Sequence, residues 1–331
     1  MEWLKGIQQL NKALVRPVIT IGNFDGVHLG HQQIIQLAIQ KAKEVQGTSV
    51  AFTFRPHPQI ALKPETAPPL ITTYDEKIEL LQETGLNLVI EEPFSREFST
   101  VAPEQFFTEI LLRRLSAQEI VVGYDFAFGK GREGHLDVLI SLCKKSGITL
   151  TIVEPQKVNG EVVSSSRIRN HLAQGNLPAA NSLLGRNFFY RGVVLRGDQR
   201  GRTIGFPTAN LKLEGKFTLP FGVYATSSRL VDGAVAGQPR DYVSVTNIGI
   251  RPTFQKGAGD LASPPPAIIE THLLDTTVDL YGRSIEVQFL AKLRNERKFS
   301  GIDALKAQIA LDIECVRNAL AVLNKSARAV K

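Results

Sequence analysis

The spacing of apolar residues divides the chain into two regions with different patterns. In the first region, short apolar runs alternate with stretches in which apolar residues recur every three or four positions. The runs predict strands at 18–22, 49–54, 88–91, 119–123 and 149–153. The recurring stretches predict helices at 31–45, 75–83, 103–111, 136–146 and 166–174. This alternation favours an α/β fold with a doubly wound parallel sheet, whose ligands bind beyond the carboxyl ends of the strands.

From about Gly185 the apolar runs become short and alternating, and Gly, Pro and Asp separate them. They predict strands at 188–195, 223–229, 242–248, 267–274 and 284–293. This pattern is typical of an antiparallel β-barrel or sandwich, and a helical pattern at 302–323 closes the chain. We therefore predict two domains, 1–184 and 185–331. The polar, proline-rich stretch 257–266 predicts a mobile hairpin loop, to which we assign no role.

Composition narrows the class of protein. With 43% hydrophobic and 21% charged residues among 331, the chain is globular rather than disordered. The sequence shows no signal peptide and no apolar run near the ~20 residues of a membrane span. We therefore expect a cytoplasmic protein without a membrane partner. Cys143 and Cys315 are predicted to be reduced structural thiols.

The net charge of +7 has two interpretations. It could attract nucleic acid, but an enzyme that handles anionic nucleotides also benefits from a positive field. Because the basic residues are dispersed, apart from small clusters near 196–202 and 294–298, we expect no nucleic-acid partner. The sequence leaves the oligomeric state open, with a weak homo-oligomer as one alternative.

The strongest local signal is the run IGNFDGVHLGH at 21–31. A buried strand stops at Gly22, the chain turns through polar and glycine residues, and a helix follows with His28 and His31 at its start. A helix N-terminus offers unpaired N–H groups and the positive end of the dipole, which suit phosphate. Histidines at i and i+3 lie on one side of that turn, so the pair predicts a clamp for charge on a phosphate chain.

Two further segments follow predicted strands. The run FTFRPHP at 52–58 presents His57 between prolines, where a histidine is more often a turn residue than a ligand. The run GYDFAFGKG at 123–131 leads into a literal GxGxxG at 129–134, but this match does not directly follow its strand and has no placed acidic ribose partner. The run also does not match a Walker A loop, because Gly131 occupies the position at which Ser or Thr must hold magnesium. We interpret 123–131 as an aromatic-flanked loop for a planar ligand, with Asp125 available to fix it.

The segment VSSSRIR at 163–169 places hydroxyls at a predicted helix start. Such hydroxyls cap the helix, and they can equally hold phosphate, to which Arg169 can add a bidentate contact. Taken alone, the serines favour a simple cap. With the histidine segment on the same side of the sheet, phosphate binding is favoured instead.

The second region carries the run GRTIGFPTAN at 201–210. A glycine-bearing loop lets the backbone approach phosphates closely. Thr208 and Asn210 are two residues apart and share a face if the chain is extended, and oxygen ligands of this kind suit Mg²⁺. The alternative is a polar strand edge. For Glu270, which lies near apolar residues, alternation alone favours a solvent-facing position.

These segments resemble known motifs. The run GNFDGVHLGH resembles the HxGH signature of nucleotidyltransferases, and with 52–58, 123–131 and 163–169 it resembles the adenylyltransferase half of the prokaryotic riboflavin kinase/FAD synthetase family. The runs PTAN, NIGIRPTF and ETHLLD, at 207–210, 247–254 and 270–275, resemble the kinase half of that family. The resemblance covers about residues 18–323 and implies both the α/β and the barrel domain.

The resemblance implies two reactions, phosphorylation of riboflavin to FMN by ATP and adenylylation of FMN to FAD by ATP with release of pyrophosphate. His28 and His31 would steady the phosphates and the departing pyrophosphate. Glu270 would be the base that accepts the proton of the ribityl 5′-hydroxyl. Thr208 and Asn210 would hold Mg²⁺, the implied cofactor.

The resemblance also implies the remaining binding residues. Those for ATP and its phosphates are Gly22, Phe24, Asp25, Gly30, Ser164, Ser165, Arg169, Gly201, Arg202, Thr203 and Gly205. Those for the flavin are Asp125, Phe126, Phe128, Asn247, Arg251 and Pro252. Arg55 departs from the family, many of whose members have Glu there. The other class considered is a flavin- or nucleotide-binding regulator with one or both activities lost. The intact histidines and Glu270 argue against it, because a pure binder needs neither.

Overall fold

The computed structural model describes residues 1–197, 200–213, 218–233, 240–250, 267–276 and 278–328. The chain divides into two compact units, Met1–Arg167 and Ile168–Lys331. The first unit contains a parallel sheet and the second a closed antiparallel barrel. The fold class predicted from the hydrophobic pattern and the resemblance is therefore confirmed.

The first unit is built on a six-stranded sheet. Its strands are β1 (Glu2–Leu4), β2 (Val18–Ile21), β3 (Ser49–Arg55), β4 (Leu88–Pro93), β5 (Glu119–Gly123) and β6 (Thr149–Val153). They lie in the order β1-β4-β3-β2-β5-β6, and each pair of neighbours is parallel. All five predicted strands are present, whereas β1 is too short to show a pattern. A small hairpin of β7 (Lys157–Val158) and β8 (Glu161–Val162) follows the sheet.

Helices connect these strands. They are α1 (Leu29–Glu44), α2 (Pro58–Leu62), α3 (Tyr74–Glu83), α4 (Pro103–Gln105) and α5 (Leu136–Ser146). The predicted helix 103–111 corresponds to α4 followed by a π-helix at Phe106–Arg114. Helix α3 begins with a reciprocal cap, in which the side chains of Thr73 and Glu76 each bond the other's backbone N–H.

Apolar layers cover both faces of the sheet. On one face, Phe52 and Ile90 pack with Phe107 of the π-helix. On the other face, Ile35 of α1 packs with Val89. Parallel strands that are buried on both faces consist mostly of apolar residues, which explains the nearly continuous apolar runs in the sequence. Because the strands are parallel, the loops that follow β2, β3 and β5 all leave the same edge of the sheet.

The second unit is a six-stranded barrel. Its strands are β9 (Phe188–Leu195), β10 (Ala209–Leu213), β11 (Gly222–Leu230), β12 (Asp241–Ile250), β13 (Ala267–Leu273) and β14 (Ser284–Arg294). They lie in the order β10-β13-β12-β11-β14-β9, and β9 closes the barrel by pairing with both β14 and β10. The five predicted strands are present, and β10 is an additional strand that begins at Ala209, near the end of the segment 201–210.

Alternation along the barrel strands separates an inner from an outer face. Buried hydroxyls of neighbouring strands pair with one another, since Thr226 Oγ1 lies 2.8 Å from both Ser244 Oγ and Thr246 Oγ1. These polar groups are therefore satisfied inside the core. A long helix, α9 (Ile302–Arg328), follows the barrel, and its Val316 packs against Val223 of β11.

The described part of the chain contains three further α-helices: α6 (Ser165–Gln174), α7 (Leu177–Leu184) and α8 (Arg200–Thr203). Helix α7 packs on the barrel, because Asn181 Nδ2 donates to Phe289 O at 2.9 Å and Asn181 Oδ1 accepts from Phe188 N at 2.7 Å. The domain boundary between 184 and 185 stays a prediction, which an experiment below tests. The predicted loop 257–266 lies outside the described residues. Within the part of the chain that the structure describes, no helix is both long and apolar enough to cross a membrane.

Candidate active sites

The loop after β2 turns sharply between the strand and α1. Phe24 and Val27 adopt positive φ angles of 50° and 38°. Phe24 is only 1% exposed, and its ring centroid lies 5.3 Å from that of His31, with the two planes at 82°. A Cβ on Gly22 would lie 3.0 Å from that ring. Gly22 and Phe24 are both predicted to contact ATP. In the structure, Gly22 leaves room for the Phe24 ring, and that ring packs edge to face against His31.

His28 and His31 lie together at the start of α1. His28 is the N-cap residue, and its Nδ1 accepts the backbone N–H of His31 at 3.2 Å. The two imidazole rings stack with centroids 3.5 Å apart and planes at 15°. Because Nδ1 of His28 is an acceptor, the proton of its neutral ring is on Nε2. A Cβ on Gly30 would lie 3.3 Å from the His28 ring, so the glycine leaves room for this arrangement.

Asp25 is buried and holds a neighbouring loop. Its Oδ1 accepts the backbone N–H groups of Ile71 and Thr72 at 3.0 and 3.3 Å. Gly26 N in turn donates to Thr72 Oγ1 at 3.3 Å. These bonds fasten the loop after β2 to the residues that lead into α3. The predicted contact of Asp25 with ATP stays a prediction, and the structure adds an anchoring role.

The serine segment meets this loop. Ser165, the first residue of α6, donates from Oγ to Asp25 O at 3.0 Å. Ser164 Oγ accepts the backbone N–H of Arg167 at 3.4 Å. The hydroxyls therefore cap the helix and also join the first and fourth predicted segments. Arg169 lies half-buried on α6, and its predicted phosphate contact stays a prediction.

His57 is a turn residue in the structure, as its position between prolines favours. It caps α2, with Nδ1 accepting Gln59 N at 3.2 Å. Its own backbone N–H donates to the hydroxyl of Tyr74 at 2.8 Å. Beside it lies a small cleft, lined by residues that include Asn23, Thr72 and Tyr74.

A buried ion pair lies next to this cleft. Lys77 Nζ is 3.5 Å from Glu91 Oε1. Burial lowers the pKa of Lys77 and raises the pKa of Glu91, and the attraction between the two charges opposes both shifts. Arg55 Nη1 lies 3.8 Å from the other oxygen of Glu91 and 3.1 Å from Asp75. Arg55 thus belongs to a charge cluster around α3.

Asp125 is exposed at the end of β5, and two predicted flavin contacts follow it. The rings of Phe126 and Phe128 stack with centroids 5.5 Å apart and planes at 16°. Phe128 also pairs with Gly134, so that 129–134 is a tight turn. This agrees with the rejection of a Rossmann or Walker loop there.

The sequence patterns did not predict the aromatic neighbours of this pair. Around Phe128 and the end of β3, further rings pack edge to face or tilted at centroid distances of 5.5–6.2 Å. They are Phe54, Phe94, Phe98 and Phe106. Aromatic residues at and just after the ends of two predicted strands were the available signal.

In the barrel unit, three predicted site residues form one row across neighbouring strands. Asn210 on β10 is the register partner of Glu270 on β13, and Glu270 is the register partner of Asn247 on β12. Directly opposed residues share a face and lie about 5 Å apart at Cβ. All three are half-buried, whereas the flanking Ile269 and Thr271 are fully buried. The row is therefore on the outer face of the barrel.

The loop before β10 is held beside this row. His272 Nδ1 donates to Pro207 O at 2.7 Å, and the Phe206 ring packs edge-on against His272 at 5.7 Å. Phe206 N donates to Gly201 O at 2.8 Å, and a Cβ on Gly201 would collide with the Phe206 carbonyl. Thr208 follows, half-buried, two residues before Asn210.

Three residues complete the surroundings of the row and were not predicted. Gly197 lies so close to the Asn210 amide that a Cβ on it would collide with Nδ2. Glu296 Oε1 is 3.5 Å from Asn247 Nδ2, and it occupies the space that a Cβ on Gly249 would fill. Both contacts join residues that are well separated in the chain, so no local sequence pattern indicates them.

The other residues predicted for the barrel site are either exposed or outside the described part of the structure. Thr203 and Gly205 are exposed in the loop, and Gly205 has a φ of +95°. The side chain of Arg202 and the residues Arg251 and Pro252 lie outside the described part of the structure. Among the described residues, no three His, Cys, Asp or Glu side chains form a metal-binding cluster.

Comparison with known proteins identifies the class. A FAD synthetase family model matches residues 10–167, and a riboflavin kinase family model matches residues 184–320. Bifunctional riboflavin kinase/FMN adenylyltransferases of Escherichia coli K12 and Bacillus subtilis 168 are each 38% identical to the chain. The first covers 94% of this chain and 96% of the relative, the second 90% of each.

A solved structure described as a macrolide-efflux protein of Streptococcus pneumoniae also matches. It has a TM-score of 0.82 and 29% identity over 96% of this chain and 98% of that chain. A FAD synthetase domain followed by a riboflavin kinase domain defines a bifunctional transferase of flavin cofactor biosynthesis. The chain belongs to the bifunctional riboflavin kinase/FMN adenylyltransferase family.

Proposed function

We propose that the chain makes FAD in two steps. Riboflavin is phosphorylated by ATP to FMN in the barrel unit, and FMN is adenylylated by a second ATP in the sheet unit, with release of pyrophosphate. The two family models and the names of the relatives support this proposal. The observation that carries it is the row of Asn210, Glu270 and Asn247, which puts a carboxylate between two amides on one face.

In the kinase step, Glu270 accepts the proton of the ribityl 5′-hydroxyl as that oxygen attacks the γ-phosphorus of ATP and ADP leaves. The carboxylate lies on a paired strand, so its position does not depend on a flexible loop. Asn247 on β12 is proposed to contact the flavin, and the glycine-bearing loop 201–205 to contact the phosphates. Arg202, Thr203, Arg251 and Pro252 are further proposed contacts.

ATP-dependent kinases and adenylyltransferases of this family generally use a divalent metal, and we propose Mg²⁺ held by Thr208 and Asn210. The donors present are a hydroxyl and an amide beside one carboxylate, without an acidic cluster among the described residues. They fit Mg²⁺, which keeps several waters and takes few protein ligands. When bound, the ion would neutralise charge on the phosphates.

In the adenylyl transfer, an oxygen of the FMN phosphate attacks the α-phosphorus of ATP and pyrophosphate leaves. The protein contributes position and charge stabilisation and needs no nucleophile. The Nε2–H of His28 and the ring of His31 are proposed to donate to the phosphates at the start of α1. Ser165 and Arg169 are proposed to close over the triphosphate, and Asp125, Phe126 and Phe128 to hold the flavin.

The remaining proposals concern partners and location. We propose a cytoplasmic enzyme that binds neither nucleic acid nor membranes; its oligomeric state stays open, with a weak homo-oligomer as one alternative. The dispersed basic residues support the first point. Cys143 and Cys315 are both free thiols, which supports a reducing compartment, and burial raises the pKa of Cys143 to about 11.

One assay tests the proposed function. The protein is incubated with riboflavin, ATP and MgCl₂, and FMN and FAD are resolved by chromatography. Appearance of FMN followed by FAD is expected. FMN alone would leave only the kinase active, and absence of both products would favour the binding regulator. Size-exclusion chromatography with light scattering tests the oligomeric state.

A further inference from the structure

Lys77 is a buried cation that takes no part in the proposed chemistry. It lies on α3 and is 3% exposed. Its ammonium group donates to Thr53 Oγ1 at 3.1 Å and to Phe54 O at 3.0 Å, with Glu91 Oε1 3.5 Å away. Burying an ammonium group is unfavourable unless it is paired, and an apolar side chain would fill the same space. The charge therefore calls for an explanation beyond packing.

The hydroxyl of Thr53 relays this contact to the loop after β2. Thr53 is fully buried, and its Oγ1 donates to Asn23 O at 3.2 Å. An ammonium group can only donate, so the Thr53 oxygen accepts a hydrogen bond from Lys77, and the Thr53 hydroxyl proton is donated to Asn23 O. The direction of the relay is thus fixed. Asn23 stands between Gly22 and Phe24, at the start of the loop that ends in His28.

A second set of bonds ties the same loop to the same helix. Asp25 accepts from Ile71 and Thr72 just before α3 begins at Tyr74. The relay from Lys77 passes through Thr53 on β3 and holds the same loop at Asn23, near its start. Asn23 and Asp25 are therefore both held by groups attached to α3.

We propose that Lys77 is a positioning residue of the adenylyltransferase site. Through Thr53 it fixes the Asn23 carbonyl, and with it the approach of the loop to His28. Glu91 balances its charge. The proposal rests on the proposed function of this unit. A displacement of about 1 Å at a reacting group can lower a rate by about 100-fold, so loss of the relay is expected to lower turnover.

The first test separates the hydroxyl from the volume of the side chain. Thr53→Val keeps the shape and removes the relay, whereas Thr53→Ser keeps the hydroxyl and removes a buried methyl group. The kcat for FAD formation from FMN and ATP is expected to fall about 10- to 100-fold in Thr53→Val and to stay near the parent value in Thr53→Ser. A merely structural role predicts the reverse order, because Thr53→Ser loses packing.

The second test removes the ion pair as a unit. Lys77→Met with Glu91→Met replaces both charges by apolar side chains, a change that often preserves stability. FAD formation is expected to fall as in Thr53→Val, while phosphorylation of riboflavin in the other unit serves as an internal control. Lys43→Met, at an exposed lysine of α1, is the matched control and should leave both activities unchanged.

The outcomes distinguish this inference from the proposed function. A parent protein that makes no FAD overturns the proposed function and the inference with it. A parent that makes FAD, together with a Thr53→Val variant of equal kcat, overturns the inference alone. Should the double variant fail to fold, the comparison of Thr53→Val with Thr53→Ser still decides.

Discussion

The two candidate sites are built by different means. In the sheet unit, the groups proposed for chemistry lie on loops beyond strand ends, and backbone hydrogen bonds to Asp25 and His28 set their positions. In the barrel unit, Glu270 and Asn210 lie on paired strands, and the ladder itself sets their spacing. A loop site therefore depends on side chains that also anchor the backbone, whereas a strand site needs few such contacts. Geometry and chemistry are easier to separate by mutation in the barrel.

The largest effect is expected when the barrel unit is produced without the sheet unit and tested for folding and activity. Helix α7 packs on the barrel through Asn181, and its Leu177, Leu183 and Leu184 are at most 1% exposed. Each buried leucine contributes about 1.5–3 kcal/mol. A fragment 168–331 is therefore expected to fold and to make FMN but no FAD, and a fragment 185–331 to be strongly destabilised. Circular dichroism melts and the riboflavin assay measure both.

The two fragments also decide where the domain boundary lies. Equal stability and kinase activity of 168–331 and 185–331 would support the boundary predicted from the sequence at 184/185. If neither fragment folded or phosphorylated riboflavin, the units would not be separable, and the comparison of two independent sites would fail.

The next largest effect is expected from Glu270→Gln. This change keeps the size and the strand position of the side chain and removes only the proton acceptor. General-base catalysis contributes about 10²–10⁴-fold, so kcat for riboflavin phosphorylation should fall by about that factor. FAD formation from supplied FMN should stay near normal, because it takes place in the other unit.

Binding measurements control this prediction. Titration of the variant with riboflavin and ATP should give affinities close to those of the parent. Phosphorylation at the parental rate would remove Glu270 from the mechanism and leave kinase catalysis to positioning by Thr208, Asn210 and the metal.

In the loop site, His28→Ala and His31→Ala should each reduce FAD formation. Loss of one preorganised donor costs about 10²–10³-fold in kcat. His28→Ala should be the more severe, because its Nδ1 also caps α1 by accepting the N–H of His31. Steady-state rates with FMN and ATP measure the effect, and riboflavin phosphorylation should persist.

His135→Ala is the matched control, because His135 is exposed at the start of α5 and its side chain makes no capping bond. An equal loss of both activities in His28→Ala or His31→Ala would indicate misfolding or a single shared site. Parental FAD formation in both variants would exclude the histidines from the chemistry.

The contrast between the sites also explains what the sequence predicts. Continuous apolar runs identify strands that are buried on both faces, and i, i+3 spacing identifies the stacked histidines, because both are local properties. Register between strands is not local. Nothing in the sequence itself places Asn210 opposite Glu270, and only the resemblance brings these two segments together.

The anchoring contacts are equally hidden from a local pattern. Asp25 meets Ile71 across 46 residues, and Ser165 meets Asp25 across 140. The family resemblance presents Asp25 as a ligand candidate, and the sequence around it does not reveal its anchoring role, because a carboxylate beside glycine has the same local appearance in either role. The relay from Lys77 to Asn23 is unpredictable for the same reason.

The smallest effect concerns buried carboxylates, which behave oppositely in the two units. In the sheet unit, burial raises the pKa of Glu92, although its bond from Ile7 N opposes this. In the barrel unit, burial would also raise the pKa of Glu286, but bonds from Gln288, Arg229 and Arg191 outweigh burial and lower it.

These opposite shifts give opposite effects of pH on stability. The raised pKa of Glu92 stabilises the fold most below the unfolded pKa near 4.5, and this stabilisation is lost as pH rises through the folded pKa. The stabilisation from the lowered pKa of Glu286 is present above pH 4.5 and is lost as pH falls through the folded pKa.

Two variants test these effects. As pH falls from 7 to 4.5, the sheet unit should gain stability from Glu92, and Glu92→Gln should reduce that gain. As pH falls below 4.5, the barrel unit should lose the stability that Glu286 provides, and Glu286→Gln should reduce that loss. Thermal melts, with shifts of about 2–4 °C per kcal/mol, should resolve both effects. Parallel pH profiles for each variant and its parent would contradict the assignment.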